Sequence, residues 1–101
     1  MRPQLLTRAA SLINEAEPAL NQHGLDSQIE LSPPDRDPGS ISWIVEGGSR
    51  MSQMVLWEDG QSEIDLAEVE SGRVTSEHRR VDNDVALVEL VDSVRSWLLA
   101  V

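Results

Sequence analysis

Cysteine, lysine, phenylalanine and tyrosine are all absent from the 101 residues. Without cysteine there is no disulfide and no thiolate metal centre. Without lysine every basic side chain is arginine, and the eight basic residues face 18 acidic ones, for a net charge of −10. A chain this acidic repels phosphate backbones, which excludes sequence-nonspecific nucleic-acid binding. Long apolar runs are missing too. Leu5-Leu6 and Leu12-Ile13 are separated by polar residues, and Val85 to Val101 is broken by Glu89, Asp92, Ser93, Arg95 and Ser96. Neither stretch suits a secretory signal or a bilayer span, so a cytoplasmic protein is expected. The composition, 40% apolar and 26% charged, is that of a folded chain, and the length suits one domain over residues 1–101.

Apolar periodicity divides the chain. Leu5, Leu6, Ala9, Leu12, Ile13, Ala16 and Leu20 recur at three- and four-residue steps, predicting a helix over 3–23. Pro3 suits its first turn, whereas Pro18 removes a hydrogen bond and predicts a kink near Ala16-Glu17 or a break. Gly24 fits the left-handed position of a Schellman ending, with Leu25 packing back on Leu20. Strands are expected at Leu25 to Leu31, Ile41 to Val45, Met51 to Trp57, Ser62 to Val69 and Arg73 to Val81, the last a polar edge. The proline-rich stretch 32–39 and the segments Gly47-Gly48-Ser49, Asp59-Gly60 and Ser71-Gly72 turn the chain. Asp82 is the expected N-cap of a closing helix, with Val81 and Ala86 as its hydrophobic staple. Val85, Val88, Val91, Val94, Leu98 and Val101 form its stripe, widened by Leu87 and Trp97. The order α-β-β-β-β-β-α predicts an α+β fold: a five-stranded antiparallel meander with both helices on one face.

Turn chemistry gives a first estimate of which side chains share a face. A two-residue turn at Asp59-Gly60 sets Val55 against Ile64 and Trp57 against Ser62. Val55, Trp57, Ile64 and Leu66 then form the core face, joined by Ile41, Trp43 and Val45 if a three-residue loop at 47–49 pairs Glu46 with Arg50. The opposite, uncovered face carries Met54, Leu56, Glu63 and Asp65. A parity change between Leu66 and Val69 predicts a bulge near Ala67-Glu68. Core packing is the favoured role for all three tryptophans, and a tryptophan left exposed is a natural binding hot spot.

Catalytic chemistry finds little support. His23 falls at a helix end, where it can meet exposed carbonyls, and His78 lies in a polar edge strand beside Arg79 and Arg80. No serine occupies a recognisable nucleophile turn. Glu58, Asp59, Glu63, Asp65, Glu68 and Glu70 crowd together without a basic residue among them. They lie mostly in a strand, unlike the loop ligands of a calcium site, and a paired-carboxylate hydrolase needs a cleft. No metal and no cofactor is expected. The run is better suited to attracting a basic protein at an enhanced rate.

From Ser40 onward the chain resembles the TriTu family of bacterial immunity proteins. The resemblance rests on Met54-Val55-Leu56-Trp57-Glu58-Asp59-Gly60 and on Glu63-Ile64-Asp65-Leu66-Ala67-Glu68-Val69-Glu70-Ser71-Gly72, followed by a polar strand and the closing amphipathic helix. It implies a non-enzymatic protein that neutralises a cognate toxin of a polymorphic toxin system by stoichiometric binding. An acidic inhibitor suits a toxin with a basic surface, such as a nuclease. Glu58, Asp59, Glu63, Asp65 and Glu68 are the expected contacts, with Met54 and Leu56 as the apolar part. The other reading of a small acidic α+β chain is a homodimeric secretion chaperone or adaptor. The residues leave monomer and homodimer both open.

Overall fold

The computed structural model describes residues 3–100. Helix α1 (Pro3–Gln22) leads into strands β1 (Asp26–Leu31), β2 (Ser40–Glu46), β3 (Arg50–Trp57), β4 (Gln61–Glu68) and β5 (Val74–Arg80), and helix α2 (Asp84–Leu99) closes the chain. The strands form one open antiparallel sheet in chain order, as the turn signals predict. Helix α1 packs across β1 and β2, α2 packs on β3, and the helices touch each other.

Helix α1 buries Ala9, Ile13, Ala16 and Leu20, with Leu5, Leu6 and Leu12 half-buried beside them. It is not broken at Pro18. The proline deprives the Asn14 carbonyl of its donor, but Asn14 and Pro18 are both exposed, so water can replace that bond. The helix ends as its sequence predicts. The Leu25 N–H reaches the Leu20 carbonyl and the Gly24 N–H the Asn21 carbonyl, both at 3.0 Å. Gly24 takes φ +78°, and Leu20 and Leu25 are buried together.

The sheet departs from expectation in one strand. Met54, not Val55, faces Ile64, and Leu56, not Trp57, faces Ser62. The β3–β4 connection is the three-residue loop Glu58-Asp59-Gly60, one longer than a two-residue turn. The Gly60 N–H donates to the Trp57 carbonyl at 2.9 Å, and Gly60 adopts φ +95°. A side chain there is excluded twice over, because its Cβ would lie 2.6 Å from the Val81 carbonyl oxygen. At the other end of β3, Val45 faces Ser52, where the expected loop would set it against Met51. The pairing shifts by one residue on both sides of β3, so β2 and β4 keep their faces and β3 alone turns over. Met54 and Leu56 become fully buried beside Ile41, Trp43, Val45 and Ile64. Their place on the uncovered face is therefore corrected, and Val55 and Trp57 take it. Burial alone could not choose between them, because β3 carries apolar side chains on both of its faces.

Pairing through β4 is regular to Glu68, without the expected bulge, and exposed Val69 lies beyond the strand with its N–H on the Ser49 carbonyl. Helix α2 is capped one residue later than expected. The Asn83 side-chain oxygen accepts from the Ala86 N–H at 2.8 Å, while Asp82 pairs with Arg80. Leu87, Leu90, Val91, Val94 and Leu98 are buried, whereas Val85 is 68% exposed. Val91, Val94 and Leu98 of the expected stripe are in the core with Leu87, and Leu90 joins them, while Val85 is left outside. Val101 lies outside the described residues.

The inverted strand makes a measurable difference. Met54→Ala should cost about 2–5 kcal/mol in chemical denaturation, the range for truncating a buried side chain. Val55→Ala, on the open face, should cost about 1 kcal/mol or less. The reverse ranking would restore the two-residue turn.

Candidate protein-docking surface

With both helices on one side, the other side of the sheet is open. Two cross-strand rows define it. Glu30, Ser42, Val55, Glu63 and His78 form one, and Gln28, Ile44, Gln53, Asp65 and Ser76 the other. Gln53, Glu63, Asp65, Ser76 and His78 are exposed, while Ile44 and Val55 are half-buried among their neighbours. Trp57 ends the apolar line along β3. It borders a depression of about 240 Å³ with Pro38, Asp59, Gln61, Glu63 and His78.

The acidic run does not act as a block. Glu63 and Asp65 project together from β4 on the open face, and Asp59 overhangs its end. Glu58, next in sequence, turns to the helix side and lines a groove with Leu6, Ala10, Leu31 and Arg36. Glu68 also faces the helix side. It lies 3.8 Å from Arg50 and accepts from the Ser71 hydroxyl. The structure thus joins Asp59, Glu63 and Asp65, and separates Glu58, Glu68, Met54 and Leu56 from them. Trp57 and Val55 were missed as surface groups. The available signal was Glu58 ahead of Asp59-Gly60, which permits the longer loop.

The arginines are committed mostly elsewhere. Arg8 pairs with Asp84 at 2.9 Å, Arg79 with Glu77 at 2.8 Å and Arg95 with Asp92 at 3.3 Å. Arg79 also donates to Ser93, tying β5 to α2. Arg50 stacks over Trp97, its guanidinium carbon 4.6 Å from the ring centre, and donates to the Trp97 carbonyl at 2.6 Å. On the open side, Arg80 is held by Asp82 at 2.9 Å. Among the described residues, none of these pairs involves Asp59, Glu63 or Asp65. Asp65 accepts the Ser76 hydroxyl at 2.6 Å, and Asp59 accepts the Gln61 backbone N–H at 3.1 Å. Both bonds leave the negative charge uncompensated.

His23 Nδ1 contacts the Ala19 carbonyl at 2.9 Å, matching its expected role at the helix end. His78 Nε2 contacts the Gln61 side chain at 3.1 Å. Among the described residues, no three His, Asp or Glu side chains group as metal ligands. The arrangement supplies an apolar strip with a tryptophan at one end and carboxylates alongside, the makings of a protein contact.

A family model described as "Immunity protein TriTu" matches residues 8–97. The chain belongs to the TriTu immunity protein family. The match runs from the first turns of α1 through all five strands to Trp97 in α2. No curated protein matches the chain. Immunity proteins of this family are generally non-enzymatic binders of toxins.

Charge on the helix side has a measurable consequence of its own. The hydrogen bond from Arg8, reinforced by its charge, holds the Asp84 carboxyl below the ordinary aspartate range. A carboxyl lowered on folding stabilises the fold above its unfolded pKa, and that contribution is lost as pH falls through the folded value. NMR titration of Asp84 should show the depression, and Arg8→Ala should abolish it.

Proposed function

We propose that this immunity protein acts in the cytoplasm of a bacterium carrying a polymorphic toxin system. It neutralises its cognate toxin by stoichiometric docking on the open sheet face. The toxin presents a basic surface, as a nuclease does where it holds phosphates. Asp59, Glu63 and Asp65 meet that surface, and Ile44, Val55 and Trp57 supply the buried centre. The observation that carries the reading is the open row of β4 carboxylates without arginine partners. Long-range attraction raises the rate of capture, and desolvation of the apolar strip then slows release.

The test uses the cognate toxin and the full chain. Glu63→Arg with Asp65→Arg should weaken toxin binding at least about 100-fold, because each places like charge against like. The thermal midpoint should stay within a few degrees, since both positions are exposed. Glu15→Arg with Glu89→Arg, on the two helices, changes net charge equally and should weaken binding far less. Equal losses from both pairs would leave only a net-charge effect and remove the open face from the contact.

A further inference from the structure

The molecule contains an internal arginine-holding device. Arg50 lies over the Trp97 ring at 4.6 Å with the Glu68 carboxylate 3.8 Å away. A planar guanidinium suits this combination, since it stacks on an indole face and still donates in plane to a carboxylate. The open face carries the same combination with its arginine missing. Trp57 and Glu63 border one depression, with Asp59 beside them and Pro38 closing one side. Among the described residues, the Glu63 carboxylate makes no hydrogen bond or ion pair, although its backbone lies in the β4 ladder. The arginine closest in register, Arg80 opposite Gln61, directs its Nε to Asp82 and its Nη2 to the Asp59 carbonyl at 3.5 Å. His78, opposite Glu63, is turned to Gln61.

We propose that the Trp57–Glu63 depression is the receptor for one arginine side chain of the partner protein. This rests on the open face being the docking surface, and it names the anchor within it. Trp57 provides the stacking plane, Glu63 the in-plane acceptor, and Asp59 a second carboxylate at the rim. Lysine fits less well, because a compact ammonium ion cannot stack and bind in plane together. Selectivity for arginine at equal charge is therefore the signature of the site.

The test is an NMR titration of the isotope-labelled full chain with hexa-arginine amide and hexa-lysine amide. The Trp57 indole resonance is assigned from Trp57→Phe. That resonance should move with hexa-arginine, which should bind about three- to fivefold more tightly than hexa-lysine, the size of an exposed cation–π contact. Glu63→Gln, which alters an exposed position, should weaken hexa-arginine binding about tenfold. Equal affinity for the two peptides, or an unchanged affinity in Glu63→Gln, overturns the proposal. Shifts confined to Gln53, Asp65 and Ser76, with Trp57 unmoved, overturn the anchor but keep the docking face. If no amide of the open face moves, both readings fall.

Discussion

A strand must alternate between two faces, and β3 has apolar side chains on both. One residue of register against each of its neighbours therefore decides whether Met54 and Leu56 or Val55 and Trp57 enter the core. The chain resolves this with Gly60. Its left-handed backbone closes a three-residue loop, and its missing side chain lets the Val81 carbonyl approach. The same choice determines the character of the open face. Met54 and Leu56 would give it flexible aliphatic groups, whereas Val55 and Trp57 give it a rigid strip ending in an indole. The make-up of the open face is thus a consequence of a turn several residues away from most of it.

Much of the fold was legible because separate signals agreed. Helix α1 had both its stripe and its glycine ending, and β2 and β4 each had one clearly apolar face and one polar face. The open face was also foreseen, as were Glu63 and Asp65 upon it, because placing either carboxylate in the core unpaired is prohibitive. Where the signals were degenerate, the reading failed. In β3 the two registers bury similar apolar area. At α2, Asp82 and Asn83 are both competent caps, and the choice falls to Asn83 while Asp82 pairs with Arg80. For the acidic run, sequence proximity suggested a common surface. Loop geometry instead turned Glu58 to one side and Asp59 to the other, and strand parity carried Glu68 onto the helix side.

Charge is partitioned along with the faces. Most arginine–carboxylate pairs lie on the helices, at the sheet edge or on the helix side of the sheet, and Arg8–Asp84 and Arg50–Glu68 join different elements. Arg8 bridges α1 to α2, and Arg50 ties β3 to the end of α2. As exposed or half-exposed pairs they add little individually to stability. Their larger effect is on distribution: cations used there are unavailable to neutralise Glu63 and Asp65. With so few arginines against so many acids, their placement leaves Glu63 and Asp65 on the open face outside the arginine pairs of the described residues.

Under the proposed function, those carboxylates also answer a difficulty inherent in an open sheet. An uncovered apolar strip invites a second copy to cover it, and exposed strand edges invite further pairing. A second copy brings the same carboxylates, so face-to-face association sets Glu63 and Asp65 against their equivalents without counter-ions. A basic partner meets the opposite condition, because its cations supply the missing charge as the apolar strip is buried. On the docking proposed above, the carboxylates discriminate by sign: they penalise self-association and favour a partner of opposite charge. In this arrangement the apolar strip contributes affinity, while the acids beside it decide which surface is allowed to use it.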